Sequence, residues 1–95
     1  MDIGYKELID AIITKQVSIL GETIALKKAG KVEGIILNDL GKVASIHGDG
    51  KIVLEKLLKE YASLTGEATI LFSKEAIAPL IKENSSLILP EELKL

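Results

Sequence analysis

Residues 32–47 read VEGIILNDLGKVASIH and carry the clearest β-sheet signal in the chain. Two short β-prone runs, residues 32–37 and 42–47, flank the four-residue turn 38–41 (Asn-Asp-Leu-Gly). Asn or Asp early in a turn and Gly at its end is typical of a type I turn closed by a left-handed glycine. The stretch therefore predicts a β-hairpin, which the glycine-rich residues 47–50 bring to an end.

The chain before the hairpin, residues 5–28, has the periodicity of one long amphipathic helix. Its apolar residues fall within about half of a helical wheel turning ~100° per residue. Lys27 and Lys28 suit a helix C-terminus, and Gly30 is a natural stop. A surface helix needs an apolar stripe of only roughly 100°. Because this face is broader, we expect its own domain to cover one side and a second chain to cover the other.

We expect a homodimer interface at either the hairpin edge or the first helix, and six residues on the broad face of this helix are the named candidates. They are Ile9, Ile12, Gln16, Ile19, Thr23 and Leu26. An isolated buried amide sets the register of some helical dimers, so Gln16 is predicted to pair with its symmetry mate. The alternative for Gln16 is a local backbone hydrogen bond or partial exposure.

The second half of the chain is predicted to be mainly helical. Asp49 is placed to cap a helix that begins near Lys51. Residues 66–72 leave two alternatives open, a continuing helix or a break followed by a short strand, and the lack of alternation favours the helix. Pro79 predicts a kink or restart within residues 73–82. Residues 84–86 are predicted as a loop, 87–89 as extended chain, and Pro90 as the start of a helical turn.

These elements predict an α+β fold in a single compact domain, residues 1–95. Its order is a long N-terminal amphipathic helix, a β-hairpin, then a helix and a broken C-terminal helical segment.

The composition combines abundant aliphatic residues with few chemically reactive ones. There are 14 Ile, 15 Leu and 4 Val, but one His, no Cys and no Arg. A short chain buries a smaller share of its surface than a long one, so this apolar excess predicts a subunit interface.

A net charge of −2 and the lack of Arg disfavour nucleic-acid binding. The lack of Cys favours the cytoplasm, and no apolar run approaches the ~20 residues of a membrane span. Dominance of Lys and Glu among the charges is a thermophile-like pattern.

Two segments are candidate chemical sites, His47 with Asp49 and the glycine-rich residues 48–51. His47 and Asp49 are too few to complete a metal or acid–base site, so His47 is predicted to be a surface residue ending the hairpin. Residues 48–51 (Gly-Asp-Gly-Lys) contain glycines like those of a phosphate loop. That motif requires Ser or Thr after the Lys, whereas Ile52 follows here. A turn and helix cap is the predicted structure.

The expected function is therefore that of a small cytoplasmic protein-interaction or regulatory module, or an accessory subunit. We expect it to be non-catalytic, to act as a homo-oligomer that also binds another protein, and to need no cofactor or metal. The alternative is a ligand- or nucleic-acid-binding regulator with the hairpin as a wing. That arrangement usually has two helices before the wing, and the sequence predicts one.

Overall fold

The computed structural model describes residues 4–83 and 88–93. Its elements in chain order are helices α1 (Tyr5–Leu20) and α2 (Glu22–Gly30), strands β1 (Ile35–Leu37) and β2 (Val43–Ile46), helices α3 (Gly50–Thr65) and α4 (Ala68–Glu83), and a 3₁₀ turn (Glu91–Leu93). The fold is α+β, with the hairpin between helical segments as the sequence predicts.

The N-terminal helix is broken at Gly21, so the prediction of one continuous helix over residues 5–28 is wrong. Gly21 has φ 87° and ψ 155°, a conformation that glycine adopts without the penalty of a Cβ. Its N–H donates to the Val17 carbonyl (2.9 Å) and closes α1, while its own carbonyl accepts from the Ala25 N–H (3.1 Å) at the start of α2. The apolar periodicity continues on both sides of the break, which hides it from a wheel analysis.

The hairpin turn has the predicted geometry. The Gly41 N–H donates to the Asn38 carbonyl at 3.0 Å, and Gly41 has φ 77°. The Asn38 side-chain oxygen also accepts from the N–H groups of Leu40 (2.9 Å) and Lys42 (3.0 Å). The strands are antiparallel, and their pairing shifts by one residue between Ile36 and Leu37. Both strands are shorter than the predicted runs.

Helix α3 begins where the sequence predicts. The Asp49 carboxylate accepts from the N–H groups of Lys51 (2.9 Å) and Ile52 (3.1 Å), which caps the helix. The helix ends at Gly66, which has φ 57°. After this short break residues 68–72 are helical, so the preference for helix over strand is confirmed.

Helix α4 runs through Pro79 to Glu83 without an interruption, unlike the predicted restart within residues 73–82. A proline inside a helix removes one backbone hydrogen bond. Buried Ile77 before it and partly buried Leu80 and Ile81 after it hold both sides of Pro79 against the core. The predicted loop 84–86 and Leu87 lie outside the described residues. The predicted turn after Pro90 is observed, with the Leu93 N–H donating to the Pro90 carbonyl at 2.9 Å.

The core is organised around α1, which packs against α2, α3, α4 and β2. Elements of the same chain therefore cover much of its broad apolar face. The fully or almost fully buried apolar residues come from nearly every element: Leu8, Ile9, Ile12, Ile13, Ala25, Ala29, Val32, Ile35, Val43, Val53, Leu54, Leu57, Leu58, Tyr61, Ile77 and Leu93.

Candidate functional site

The six predicted interface residues divide into two groups at the Gly21 break. Ile9, Ile12 and Gln16 on α1 are fully buried within the chain's own core. A second copy cannot touch these three side chains in this arrangement. The other three retain surface. Ile19 is 39% exposed, Thr23 is exposed and Leu26 is half-buried.

Of these three residues, Leu26 lines a small groove where the α1–α2 break meets the hairpin turn. We call it the elbow groove, and its volume is about 110 Å³. Its lining residues are Ile13, Thr14, Val17, Glu22, Leu26, Leu40, Gly41 and Lys42. The lining is mainly aliphatic, with one anionic and one cationic side chain.

The hairpin turn is seated on α2 at this groove. A Cβ added to Gly41 would lie 2.7 Å from Leu26 Cδ1, so the glycine permits the close approach of turn and helix. Lys42 also reaches α1, with its Nζ 3.4 Å from Thr14 Oγ1. These contacts position Leu40, which directly precedes Gly41 in the turn.

Leu40 is the most exposed large apolar residue of the described chain, at 84%. Turns favour Gly, Pro, Asn, Asp and Ser at their central positions, so an aliphatic residue there has no local structural cause. Leu40 lies in the predicted hairpin turn 38–41, but it is not among the six candidate interface residues. The sequence signal was Leu40 itself, an apolar residue at a turn position that usually holds a polar residue, Gly or Pro. Its proximity to Leu26 is a tertiary contact that no local pattern contains.

The hairpin end does not form an anion site. Asp49 occupies the N–H groups of Lys51 and Ile52, which are the donors that a phosphate at this helix terminus would need. The exposed His47 contacts a single side chain by hydrogen bonding, with its Nε2 3.1 Å from Ser45 Oγ. These positions agree with the predicted turn and cap.

A second, wider groove of about 460 Å³ lies between α3, α4 and the C-terminal turn. Its lining mixes the carboxylates Glu55 and Glu92 with Lys59 and three apolar residues, Leu58, Ala62 and Ile70. Glu55 and Lys59 are four residues apart and lie on one face of α3.

Burial changes the titration of the Tyr61 hydroxyl. Its hydroxyl is buried and donates to the Ala25 carbonyl at 2.8 Å. Burial raises the pKa of the Tyr61 hydroxyl well above its ordinary value, because the phenolate would lose its hydration. A phenol held neutral in a backbone hydrogen bond ties α3 to α2, which is a structural role.

Within residues 4–83 and 88–93, no group of three or more His, Asp or Glu is placed to hold a metal ion. No helix there is long and apolar enough to cross a membrane.

Comparisons with protein-family models, with curated proteins and with solved structures find no match to this chain.

Proposed function

We propose that this chain is a small, non-catalytic, cytoplasmic interaction module that acts as a homo-oligomer, with the elbow groove and its exposed rim as the contact between copies. The observation that carries the proposal is Leu40, which is 84% exposed beside the groove. Covering a leucine side chain stabilises an assembly by roughly 1.5–3 kcal/mol. Leu40 gains this stabilisation only when a partner covers it.

Exposed side chains on either side of the Gly21 break add to the surface available to a partner. Ile24 on α2 is 48% exposed and Ile19 at the end of α1 is 39% exposed. Thr23 lies between them in sequence and is also exposed. Part of the predicted interface thus remains accessible and adjoins the α1–α2 break.

Charge favours a second copy of the chain as the occupant. The groove carries Glu22 and Lys42, so a twofold arrangement can place each glutamate near the lysine of the other copy. The net charge of −2 on 95 residues also gives little long-range repulsion between identical chains.

Light scattering coupled to size exclusion tests the proposal. The wild-type chain is expected to have at least twice the mass of the 10.2 kDa monomer. Leu40→Lys is expected to dissociate it while circular dichroism and the thermal midpoint stay close to wild type, because Leu40 contributes little to the monomer. Leu71→Lys is the matched control, since Leu71 is 64% exposed on α4 and does not line the groove.

Charge reversal tests the orientation of the contact. Glu22→Lys and Lys42→Glu should each weaken self-association, and the double variant should recover it because opposite charges meet again. A clean monomer at high micromolar wild-type concentration would overturn the proposal. Dissociation by Leu71→Lys but not by Leu40→Lys would overturn the groove as the contact and place it on α4.

A further inference from the structure

The contact between α1 and α4 contains polar side chains in an otherwise aliphatic core. Gln16 on α1 and both Thr69 and Ser73 on α4 are fully buried. Thr69 hydrogen-bonds through its hydroxyl to the hydroxyl of Thr65. Neither the amide nitrogen nor the amide oxygen of Gln16 has a protein hydrogen-bond partner among the described residues, and the Ser73 hydroxyl has none there either.

An ion pair shows which parts of the two helices face each other. Lys15 Nζ lies 3.0 Å from Glu75 Oε2, which joins α1 to α4. Gln16 follows Lys15 directly, and Ser73 precedes Glu75 by two residues. Each unpartnered group is thus within two residues of this ion pair along the chain.

Leaving these groups without hydrogen-bond partners would destabilise the folded chain. A buried donor or acceptor without a partner shifts an unfolding equilibrium by about 10-fold, and this contact holds three such atoms. Protein interiors usually satisfy groups of this kind with an internal water molecule that makes about three hydrogen bonds. A glutamine amide offers both donors and an acceptor, and a serine hydroxyl offers both functions. Together they present the complement of what one water molecule offers.

We propose that the contact between α1 and α4 is a binding site for internal water, with at least one long-lived water molecule hydrogen-bonded to Gln16 and Ser73. The water links α4 to α1 at the level of the Lys15–Glu75 ion pair. Gln16 then fixes the register of two helices within one chain, rather than the register of two chains as its sequence position suggests. The inference is independent of self-association, because it rests on buried atoms and not on the elbow groove.

Water–protein magnetisation transfer by NMR tests the site directly. In the wild-type chain we expect cross-peaks from water to the Gln16 side-chain NH₂, with opposite signs in the NOE and ROE experiments as for a long-lived bound water. Gln16→Met and Ser73→Ala should each remove or weaken them. Ser18→Ala is the control, since Ser18 is an exposed serine on α1 whose hydroxyl bonds locally to the Lys15 carbonyl.

Denaturant unfolding supplies the second measurement. Gln16→Met is expected to raise the unfolding equilibrium constant about 10-fold, because it leaves the water and Ser73 short of partners. Adding Ser73→Ala should raise it by less than the product of the two single changes, because both act on one hydrogen-bonded unit. Stabilisation by Gln16→Met with no water cross-peak would overturn the site, since the amide would then be an unpaired group. Coupling without water cross-peaks would also overturn it, in favour of a direct Gln16–Ser73 hydrogen bond.

Discussion

The Tyr61 hydroxyl donates a hydrogen bond to the Ala25 carbonyl across 2.8 Å of buried space, joining α3 to α2. The two residues are 36 positions apart in the chain. Helix α2 follows the Gly21 break, and this bond attaches it to the core. Helix α2 buries only the small side chains of Ala25 and Ala29, so this polar contact is a substantial part of its attachment.

Tyr61→Phe is expected to lower the free energy of unfolding by about 1 kcal/mol near neutral pH, the usual contribution of one hydrogen bond. This difference in the free energy of unfolding between wild type and variant should disappear at alkaline pH. Burial raises the pKa of the folded-state hydroxyl above its unfolded value, so the folded chain holds this proton more tightly. The resulting stability is complete below about pH 10 and declines as the pH rises above it.

The measurement is a set of urea midpoints for wild type and Tyr61→Phe between about pH 8 and about pH 11. The wild-type curve should fall more steeply than the variant's over this interval. Every other titrating group is present in both proteins, so only the difference between the curves reports on Tyr61. Parallel curves would contradict the prediction.

Gly41→Val is expected to destabilise the chain by more than about 1–2 kcal/mol, since φ of 77° disfavours a side chain and β-branching worsens it. Gly41→Asn should be milder because Asn tolerates this region better. The new Cβ of either residue also meets Leu26, so Leu26→Ala should relieve part of the penalty in both variants. Denaturant midpoints at unchanged slope measure all of these. Equal costs for Val and Asn would exclude the left-handed assignment.

Gly34 and Gly48 form a matched pair for separating backbone strain from steric conflict. Their φ angles are 100° and 96°, so alanine is strained at both positions. A Cβ at Gly34 would lie 2.5 Å from the His47 carbonyl oxygen, whereas Gly48 faces open space. Gly34→Ala should therefore lower the thermal midpoint clearly more than Gly48→Ala. Similar shifts for the two variants would show that the hairpin base yields easily.

Asp49→Ala should cost about 1 kcal/mol of stability, because two backbone N–H groups at the start of α3 lose their acceptor. Asp49→Asn keeps a side-chain oxygen and should cost less. Thermal unfolding of the two variants beside wild type is the measurement. An asparagine variant as unstable as the alanine variant would mean that the charge of Asp49, and not its hydrogen bonds, holds the helix start.

The sequence predicts the features whose causes are local. The cap at Asp49 and the left-handed Gly41 depend on residue types a few positions apart, and both are confirmed. The break at Gly21 escapes prediction because the apolar residues keep their periodicity through it. Burial of Ile12 and Gln16 could be foreseen, but the covering element could not, since α4 lies more than 50 residues away in the chain. The same holds for the elbow groove, which exists only after the hairpin turn has packed against Leu26.

The hydrogen bond from the Tyr5 hydroxyl to the Ile88 carbonyl, 2.5 Å long, spans 83 positions of the chain. Helix α1 packs on elements that follow it, from α2 to α4. The elements that cover α1 follow it in the chain, so during synthesis its apolar face stays uncovered until they have been made. Contacts between distant positions slow folding, because the loop between them must close before any contact rewards it. The apolar face of α1 is thus open to aggregation in the nascent chain until residues 68–93 have followed.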